Sequence, residues 1–253
     1  MVFYILLTPF FMLLMNNQIS ILSTKILLSH QKQALLDAGF SVFEANFIQT
    51  ENSDFDLNGI KDNLIFTSQN AAHSVLLHPK SSALKTKNVF CVGIKTKALL
   101  EENGFNVDVY VDYASDLAEI ITLIYANESF TFFSGNLRKE TLPKALKAAK
   151  VNFNEIQVYE TTLTPQKIAE PNPSTRAIAN WRSKGGEKKF DGILFFSPSA
   201  VESYLKENKI KNEICFCIGE TTASSLEKIT RNIIVAHQPS VENVIEDVIE
   251  EYK

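Results

Sequence analysis

Cysteine and histidine are both scarce in this sequence, which has three cysteines and four histidines in 253 residues. Three cysteines cannot supply the disulfide framework of a small secreted protein. The histidines show no metal-ligand spacing with the cysteines, which themselves lie in apolar runs. We therefore predict no disulfide and no bound metal, and we assign the cysteines to the core.

Positive charge is not in excess either, since 25 lysines and arginines face 29 aspartates and glutamates, for a net charge of −4. Proteins that bind nucleic acid usually carry the opposite balance. No Gly-x-Gly-x-x-Gly or P-loop motif is present, which argues against a nucleotide site. With 45% hydrophobic and 21% charged residues, the chain has the composition of a folded globular protein, and its length favours two domains.

Charge is missing altogether from Val2 to Met15, an apolar stretch at the start of the chain. It is shorter than the roughly 20 residues of a membrane span, and it lacks the basic region and cleavage site of a secretory signal. We interpret residues 1–15 as an upstream start-site artefact or an extension, with a weak membrane anchor as the alternative. The rest of the chain predicts a cytoplasmic protein without membrane contact.

An internal duplication organises the remainder of the sequence. Four blocks recur in the same order, at offsets of 129, 126, 125 and 111 residues: 65–72 with 194–201, 90–96 with 216–222, 115–117 with 240–242, and 21–24 with 132–135. The fourth block leads in each copy into a helical pattern, which ends at Ala38 and at Ala149. The chain therefore consists of two degenerate copies of one unit.

Each block begins with a short apolar run without alternation, such as Ile193–Phe196, and continues into a helical pattern. Runs of this kind are typical of strands buried on both faces, in a parallel sheet covered by helices. Near the C-terminus, one helical stripe contains Val241, Val244, Ile245, Val248 and Ile249. The pattern predicts an α/β fold with two similar, doubly wound parallel-sheet domains.

Hydroxyl side chains stand where the predicted strands end and the helices begin, at Ser68, Ser134, Ser197 and Thr222. Each is suited to cap the N-terminus of its helix. In such folds, however, ligands bind at the carboxyl ends of the strands, where free backbone N–H groups attract anions. Four such positions in two copies therefore also favour a site for a carboxylate or phosphate compound.

No arrangement of nucleophile and base is evident, so two other side chains become the candidates. Arg138 follows a buried strand and a glycine, at a position that suits either an anion clamp or a solvated first helical turn. Tyr159 stands in the second copy where the first copy has Ile48. A tyrosine on a strand is suited to core or interface packing, but a phenol facing a cleft can also donate a proton.

The segment Phe133–Leu146, followed by Val158–Thr161, resembles the uroporphyrinogen-III synthase family. Four further segments fit the same family in the same order: Phe66–Ser68, Val92–Gly93, Phe195–Val201 and Ile218–Ala223. The similarity extends from about Ile19 to the C-terminus. Thr24-Lys25-Ile26 departs from the Thr-Arg-Pro that members often carry, and lysine there keeps the charge but loses the bidentate geometry of arginine.

The resemblance implies a discontinuous layout, with residues 16–47 and 164–253 in one domain and 48–163 in the other. Two extended crossings, around 42–50 and 156–164, would join the domains as a two-strand hinge. The implied reaction closes hydroxymethylbilane, a linear tetrapyrrole with eight carboxylates, to uroporphyrinogen III. Water is lost and the terminal pyrrole ring is inverted, without a cofactor.

By position in the family pattern, the resemblance implies Tyr159 as an assisting acid. It also implies a set of substrate-binding residues that line the cleft: Ser68, Gln69, Asn70, Gly135, Asn136, Leu137, Arg138, Ser197, Pro198, Ser199, Thr221 and Thr222. It predicts a monomer and allows a transient contact with porphobilinogen deaminase. Two alternatives stay open: a non-catalytic two-domain protein that binds an anionic small molecule, and a degenerate family member that binds tetrapyrrole and regulates.

Overall fold

A computed structural model describes residues 18–168 and 190–253, in which strands and helices alternate. In chain order the elements are β1 (Ser20–Ser23), α1 (Ser29–Asp37), β2 (Ser41–Glu44), β3 (Ile48–Asn52), β4 (Asn63–Phe66), α2 (Gln69–Leu77), β5 (Asn88–Val92), α3 (Ile94–Glu102), β6 (Asn106–Val111), α4 (Ala114–Ile124), β7 (Ser129–Gly135), α5 (Thr141–Ala148), β8 (Asn152–Leu163), β9 (Gly192–Phe195), α6 (Pro198–Glu207), β10 (Ile214–Cys217), α7 (Glu220–Ala223), β11 (Ile233–Val235) and α8 (Val241–Tyr252). The apolar segment 1–15, and the start site inferred from it, lie outside the described residues.

The chain divides into two compact units. The first unit contains the chain up to Gln49 together with the chain from Leu163 onward, and the second contains Thr50–Thr162. The first unit has a five-stranded sheet in the order β11-β10-β9-β1-β2. A six-stranded sheet in the order β3-β8-β7-β4-β5-β6 forms the second, with β3 beginning just before the boundary.

The two sheets share one strand order once the duplicated blocks are matched, and β3 is the extra strand of the second sheet. Neighbouring strands pair in parallel in both sheets, as between β1 and β9 and between β4 and β7, apart from the extra strand β3, whose hydrogen bonds to β8 run antiparallel. In each unit, the initial strand–helix–strand of one copy lies beside the later strands of the other copy. The prediction of duplicated parallel α/β architecture is confirmed.

Burial on both faces explains the apolar runs. All residues of β4 and β9 are buried, and each sheet separates two clusters of buried side chains. In the first sheet, for example, Leu22 and Ile193 pack in one cluster while Ile21 and Leu194 pack in the other. Each fully buried aliphatic side chain of this kind stabilises the fold by about 1.5–3 kcal/mol.

The C-terminal helix follows its predicted stripe. Val244, Ile245 and Val248 of α8 are buried, and Val241 and Ile249 pack against the same cluster. Ser240 caps the start of the helix, since its hydroxyl accepts a hydrogen bond from the N–H of Asn243 at 3.1 Å.

The three cysteines are free and buried, as their apolar surroundings predicted. Burial raises the pKa of each thiol to about 12. They therefore remain neutral thiols within the cores of their sheets at physiological pH.

Two of the four predicted helix caps are wrong. Ser134 is the penultimate residue of β7 and is buried, because α5 begins only at Thr141. Thr222 lies inside the short helix α7, whose N-cap is Gly219. Ser68 and Ser197 do cap α2 and α6.

The first of the two extended crossings contains two strands. β2 ends at Glu44 and β3 begins at Ile48, and the two strands belong to different sheets. Between them, the N–H of Ala45 donates to the carbonyl of Ser23, and the fully buried side chain of Phe47 packs in the core of the first unit. The second crossing, by contrast, lies within the unbroken twelve-residue strand β8 and its end.

Candidate active site

Ser68 and Ser197 occupy equivalent places at the carboxyl ends of β4 and β9. Each has an extended backbone, and each hydroxyl accepts a hydrogen bond at 3.1 Å from the N–H three residues later, of Ala71 and of Ala200. The N–H groups of Gln69 and Asn70 in α2, and that of Ser199 in α6, come before the first hydrogen bonds within the helix, as at any helix N-terminus. The two ends are therefore suited to hold an anion.

Within the described residues, the second unit alone adds a phenol to this arrangement. The hydroxyl of Ser68 donates a hydrogen bond to Oη of Tyr159 at 3.2 Å. The hydroxyl of Ser68 thus accepts one hydrogen bond from the helix and donates one to the phenol. The equivalent of Tyr159 in the first copy is Ile48, which carries no polar group.

A shift in strand register directs Tyr159 toward α2. Along β7 and β8, Ser134 pairs with Gln157 but Gly135 pairs with Tyr159, so β8 has one extra residue there. Strict alternation would place Tyr159 on the face opposite Val158, yet both side chains pack in the cluster that contains Ala71 and Ala72 of α2. The irregularity re-aims the side chain, as β-bulges near functional sites do.

Gly135 lies against the ring of Tyr159. A Cβ atom at this position would stand 2.3 Å from Cζ and 2.4 Å from Cε2 of the tyrosine ring. No real side chain tolerates such distances, so glycine permits the close approach of β7 to the ring.

Asn136 follows Gly135 and pairs with the backbone of β8. Its amide nitrogen donates to the carbonyl of Thr161 at 3.1 Å, and its amide oxygen accepts from the N–H of Thr161 at 2.8 Å. The side chain thereby continues the β7–β8 ladder beyond the end of β7. Leu137, the next residue, is half exposed.

Arg138 is engaged by two carboxylates of its own unit. Its Nε and Nη2 donate to Oε1 and Oε2 of Glu155 at 2.5 and 3.0 Å, and its Nη1 donates to Glu140. The buried hydroxyl of Ser134 donates to the same Glu155 at 2.6 Å. Arg138 precedes the first residue of α5 by three positions, so it does not lie in a first helical turn.

This cluster shifts the ionisation of its members. Burial disfavours the charged form of Glu155, but hydrogen bonds from Arg138 and Ser134 outweigh it and hold the pKa of the carboxyl below its usual range. Hydrogen bonds to Glu155 and Glu140 raise the pKa of Arg138. Both groups are therefore ionised throughout the neutral range.

The depressed pKa of Glu155 predicts a loss of stability in acid. Because the carboxyl binds its proton less readily in the folded than in the unfolded chain, its contribution is present above the unfolded pKa, about 4.5, and is lost as the pH falls through the folded pKa. We expect the difference in Tm between the wild type and Glu155→Gln to shrink below about pH 4.5, as measured by circular dichroism at several pH values.

Glu160→Gln is the matched control, because Glu160 is exposed on the same strand and its carboxylate has no hydrogen bond or ion pair within the described residues. Its Tm difference from the wild type should stay flat over the same range. An equal pH dependence in both variants would contradict the prediction.

The remaining candidate residues differ in their exposure to solvent. Gln69 and Asn70 are exposed in the first turn of α2, and Pro198 and Ser199 are partly buried in the first turn of α6. In α7, Thr221 is exposed, whereas Thr222 is 1% exposed and its N–H donates to the carbonyl of Gly219.

Sequence reasoning missed Glu155, which contacts two residues of the β7–α5 segment. A signal was available, because Glu44 in the first copy stands at the same offset of 111 residues that relates Ile48 to Tyr159. Among residues 18–168 and 190–253, no cluster of His, Cys, Asp or Glu has the composition of a metal site. No helix in these ranges is long and apolar enough to cross a membrane.

Comparison with known proteins gives consistent results. The family model for uroporphyrinogen-III synthase HemD matches residues 29–246. The porphyrin biosynthesis protein HemD of Ruminiclostridium josui is 21% identical over 199 residues, which are 74% of this chain and 37% of that protein. The chain thus spans well under half the length of this curated relative.

Two solved structures share the fold. The uroporphyrinogen-III synthetase of Helicobacter pylori 26695 superposes with a TM-score of 0.65 at 18% identity, over 93% of this chain and 100% of that chain. A mutant uroporphyrinogen III synthase of Thermus thermophilus superposes with a TM-score of 0.63 at 12% identity, with the same coverage. Since the family model matches most of the sequence, the chain belongs to the uroporphyrinogen-III synthase HemD family.

Proposed function

We propose that this chain converts hydroxymethylbilane into uroporphyrinogen III, with loss of water, inversion of the terminal pyrrole ring and closure of the macrocycle. Family membership over residues 29–246 supports the reaction class. The observation that carries the proposal is the hydrogen bond from Ser68 to Tyr159 at the N-terminus of α2. It joins a proton donor to an anion-binding helix end.

Departure of the substrate hydroxyl group requires a proton, and Tyr159 is suited to supply it. Ser68 donates to the phenol oxygen, so the phenol hydrogen remains available for another acceptor. The same hydrogen bond stabilises negative charge on Oη as the proton leaves. Tyr159 in our proposal therefore assists the loss of water.

The carboxylates of the substrate need donors rather than a deep apolar pocket. The N–H groups of Gln69 and Asn70 in α2, and that of Ser199 in α6, stand in first helical turns, where the helix dipole favours negative charge. Thr221 offers an exposed hydroxyl in the same kind of place. We propose these groups as carboxylate contacts. Thr222 is not among the proposed contacts, because its side chain is buried and its N–H donates to the carbonyl of Gly219.

We further propose that the reaction takes place in the cytoplasm, with porphobilinogen deaminase as the source of substrate. Free hydroxymethylbilane closes unaided to the uninverted isomer, so the enzyme must capture it soon after release. Each tenfold preference for inversion needs about 1.4 kcal/mol of differential transition-state stabilisation. Holding a flexible chain in one geometry is a recognised source of such energy.

The test couples the purified protein to porphobilinogen and porphobilinogen deaminase, then oxidises the products and separates isomers I and III by chromatography. We expect isomer III to predominate. Isomer I alone, from folded protein beside active deaminase, would sink the proposal. Tight tetrapyrrole binding together with that outcome would favour a non-catalytic binding protein instead.

A further inference from the structure

In both copies of the duplication, a glutamate on the second strand binds the segment that joins the first strand to the first helix. In the first unit, Glu44 of β2 accepts hydrogen bonds from the N–H of Leu27 at 2.8 Å and from Nζ of Lys32 at 2.5 Å. In the second unit, Glu155 of β8 accepts from Arg138, and both Glu155 and Arg138 lie 111 residues beyond their counterparts Glu44 and Leu27. The glutamate therefore has a shared task, which is to hold the segment between the first strand and the first helix.

In the second unit, this segment and the end of β7 are tied to β8 on both sides of Tyr159. Glu155, four residues before the tyrosine, holds Ser134 and Arg138. Thr161, two residues after the tyrosine, is bracketed by the amide of Asn136. Between the two ties, the backbone of Gly135 lies against the tyrosine ring. If this part of the chain shifts, the backbone atoms that pack against the ring of Tyr159 shift with it.

Three of the five guanidinium N–H groups of Arg138 donate to carboxylates of the same unit. Nε and Nη2 donate to Glu155, and Nη1 donates to Glu140. A substrate carboxylate could use only the two N–H groups that remain, and it would meet the repulsion of the two carboxylates already bound there.

We propose that Glu155 is a positioning residue for Tyr159, and that Arg138 serves the contact with Glu155 rather than binding a substrate carboxylate. The proposal rests on the function given above, since Tyr159 must act on a substrate for its position to matter. Glu155 acts through Ser134, Arg138 and the backbone of Gly135, and it does not touch the substrate.

The kinetic test uses Glu155→Gln, which keeps the size of the side chain and removes its charge, and Glu160→Gln as the control on the same strand. We expect Glu155→Gln to lower kcat about tenfold, as a misplaced catalytic group does, with KM changed by less than about twofold. In a Tyr159→Phe background the same substitution should lower kcat by no more than about twofold further, because its effect passes through the phenol. Glu160→Gln should match the wild type.

Arg138→Met removes the other partner of the contact between Arg138 and Glu155. We expect it to lower kcat like Glu155→Gln, and the double variant to be no slower than the slower single variant. A several-fold rise in KM for Arg138→Met at unchanged kcat would show that arginine binds substrate and would overturn the proposal. So would multiplicative effects of Glu155→Gln and Tyr159→Phe.

Amide hydrogen exchange separates this proposal from the proposed function. In Glu155→Gln we expect faster exchange at the N–H groups of Arg138 and Thr161, which donate to Gly135 and to Asn136 in the wild type. Glu160→Gln should leave both rates unchanged. Unchanged exchange in Glu155→Gln would refute the positioning role even if isomer III is formed. Faster exchange in a protein that makes only isomer I would uphold the structural tie while the proposed function fails.

Discussion

Replacing Gly135 by alanine is expected to give a destabilised protein with at most a few per cent of wild-type activity. The new Cβ would stand 2.3 Å from Cζ and 2.4 Å from Cε2 of Tyr159, and those atoms belong to a rigid ring rather than to the end of a flexible chain. Relief requires the ring or β7 to move. Overpacking of this kind costs about 1–3 kcal/mol of stability, and a shift of about 1 Å at a catalytic group can cost about 100-fold in rate.

The measurements are urea unfolding for stability and the isomer assay for activity. Gly219→Ala is the matched control, because Gly219 also lies at the carboxyl end of a buried strand, and no heavy atom beyond its chain neighbours lies within 4 Å of its Cβ position. A double-mutant cycle with Tyr159→Ala identifies the cause. If the clash with the ring is responsible, most of the stability cost of Gly135→Ala should disappear once the ring is gone. A cost that survives unchanged would assign the effect to something other than the ring.

Replacing Tyr159 by phenylalanine is expected to lower kcat about 100-fold, the lower end of what a positioned proton donor contributes. The ring still fits against Gly135 and within its apolar cluster, so the change removes only the hydroxyl that accepts from Ser68. KM should change little, because the proton is transferred in the transition state rather than in the bound ground state.

Tyr110→Phe supplies the control for this substitution. Tyr110 lies on β6 of the same sheet, and its hydroxyl donates to Asp112, away from Ser68. Its kcat should equal that of the wild type, and both variants should form far more isomer III than the uncatalysed reaction does. Full turnover by Tyr159→Phe would remove the tyrosine from the mechanism and leave substrate folding by helix N-termini as the source of selectivity.

Patterns in the sequence predicted the architecture because buried strands and helix faces consist of apolar residues in recognisable runs and stripes. The unbroken apolar run of β9 indicates a strand that is covered on both faces of its sheet. The apolar stripe of α8 indicates a helix that is buried along one face. The repeated order of blocks predicted the duplication, which the matching strand orders of the two sheets confirm. Ser68 and Ser197 were also predictable as caps, since each hydroxyl bonds an N–H only three residues away.

Errors arose where a contact links residues that are distant in the sequence. Ser134 looks like a cap next to a glycine, yet its hydroxyl is taken by Glu155, 21 residues later, and α5 begins beyond it. The carboxylate partners of Arg138 escaped prediction for a similar reason. Its carboxylate partner on β8 comes into reach only when β7 and β8 pair.

The sequence by itself determined the α/β class, the duplication, the parallel sheets and the caps of α2 and α6, because these depend on periodicity and on hydrogen bonds within one turn of helix. Only the tertiary structure decided the surroundings of Tyr159. The register shift in β8 turns the phenol toward Ser68, Gly135 admits the ring, and Glu155 holds the neighbouring segment in place. Strand pairing determines these three relations, and pairing depends on the packing of the whole sheet rather than on the few residues that surround the tyrosine in the chain.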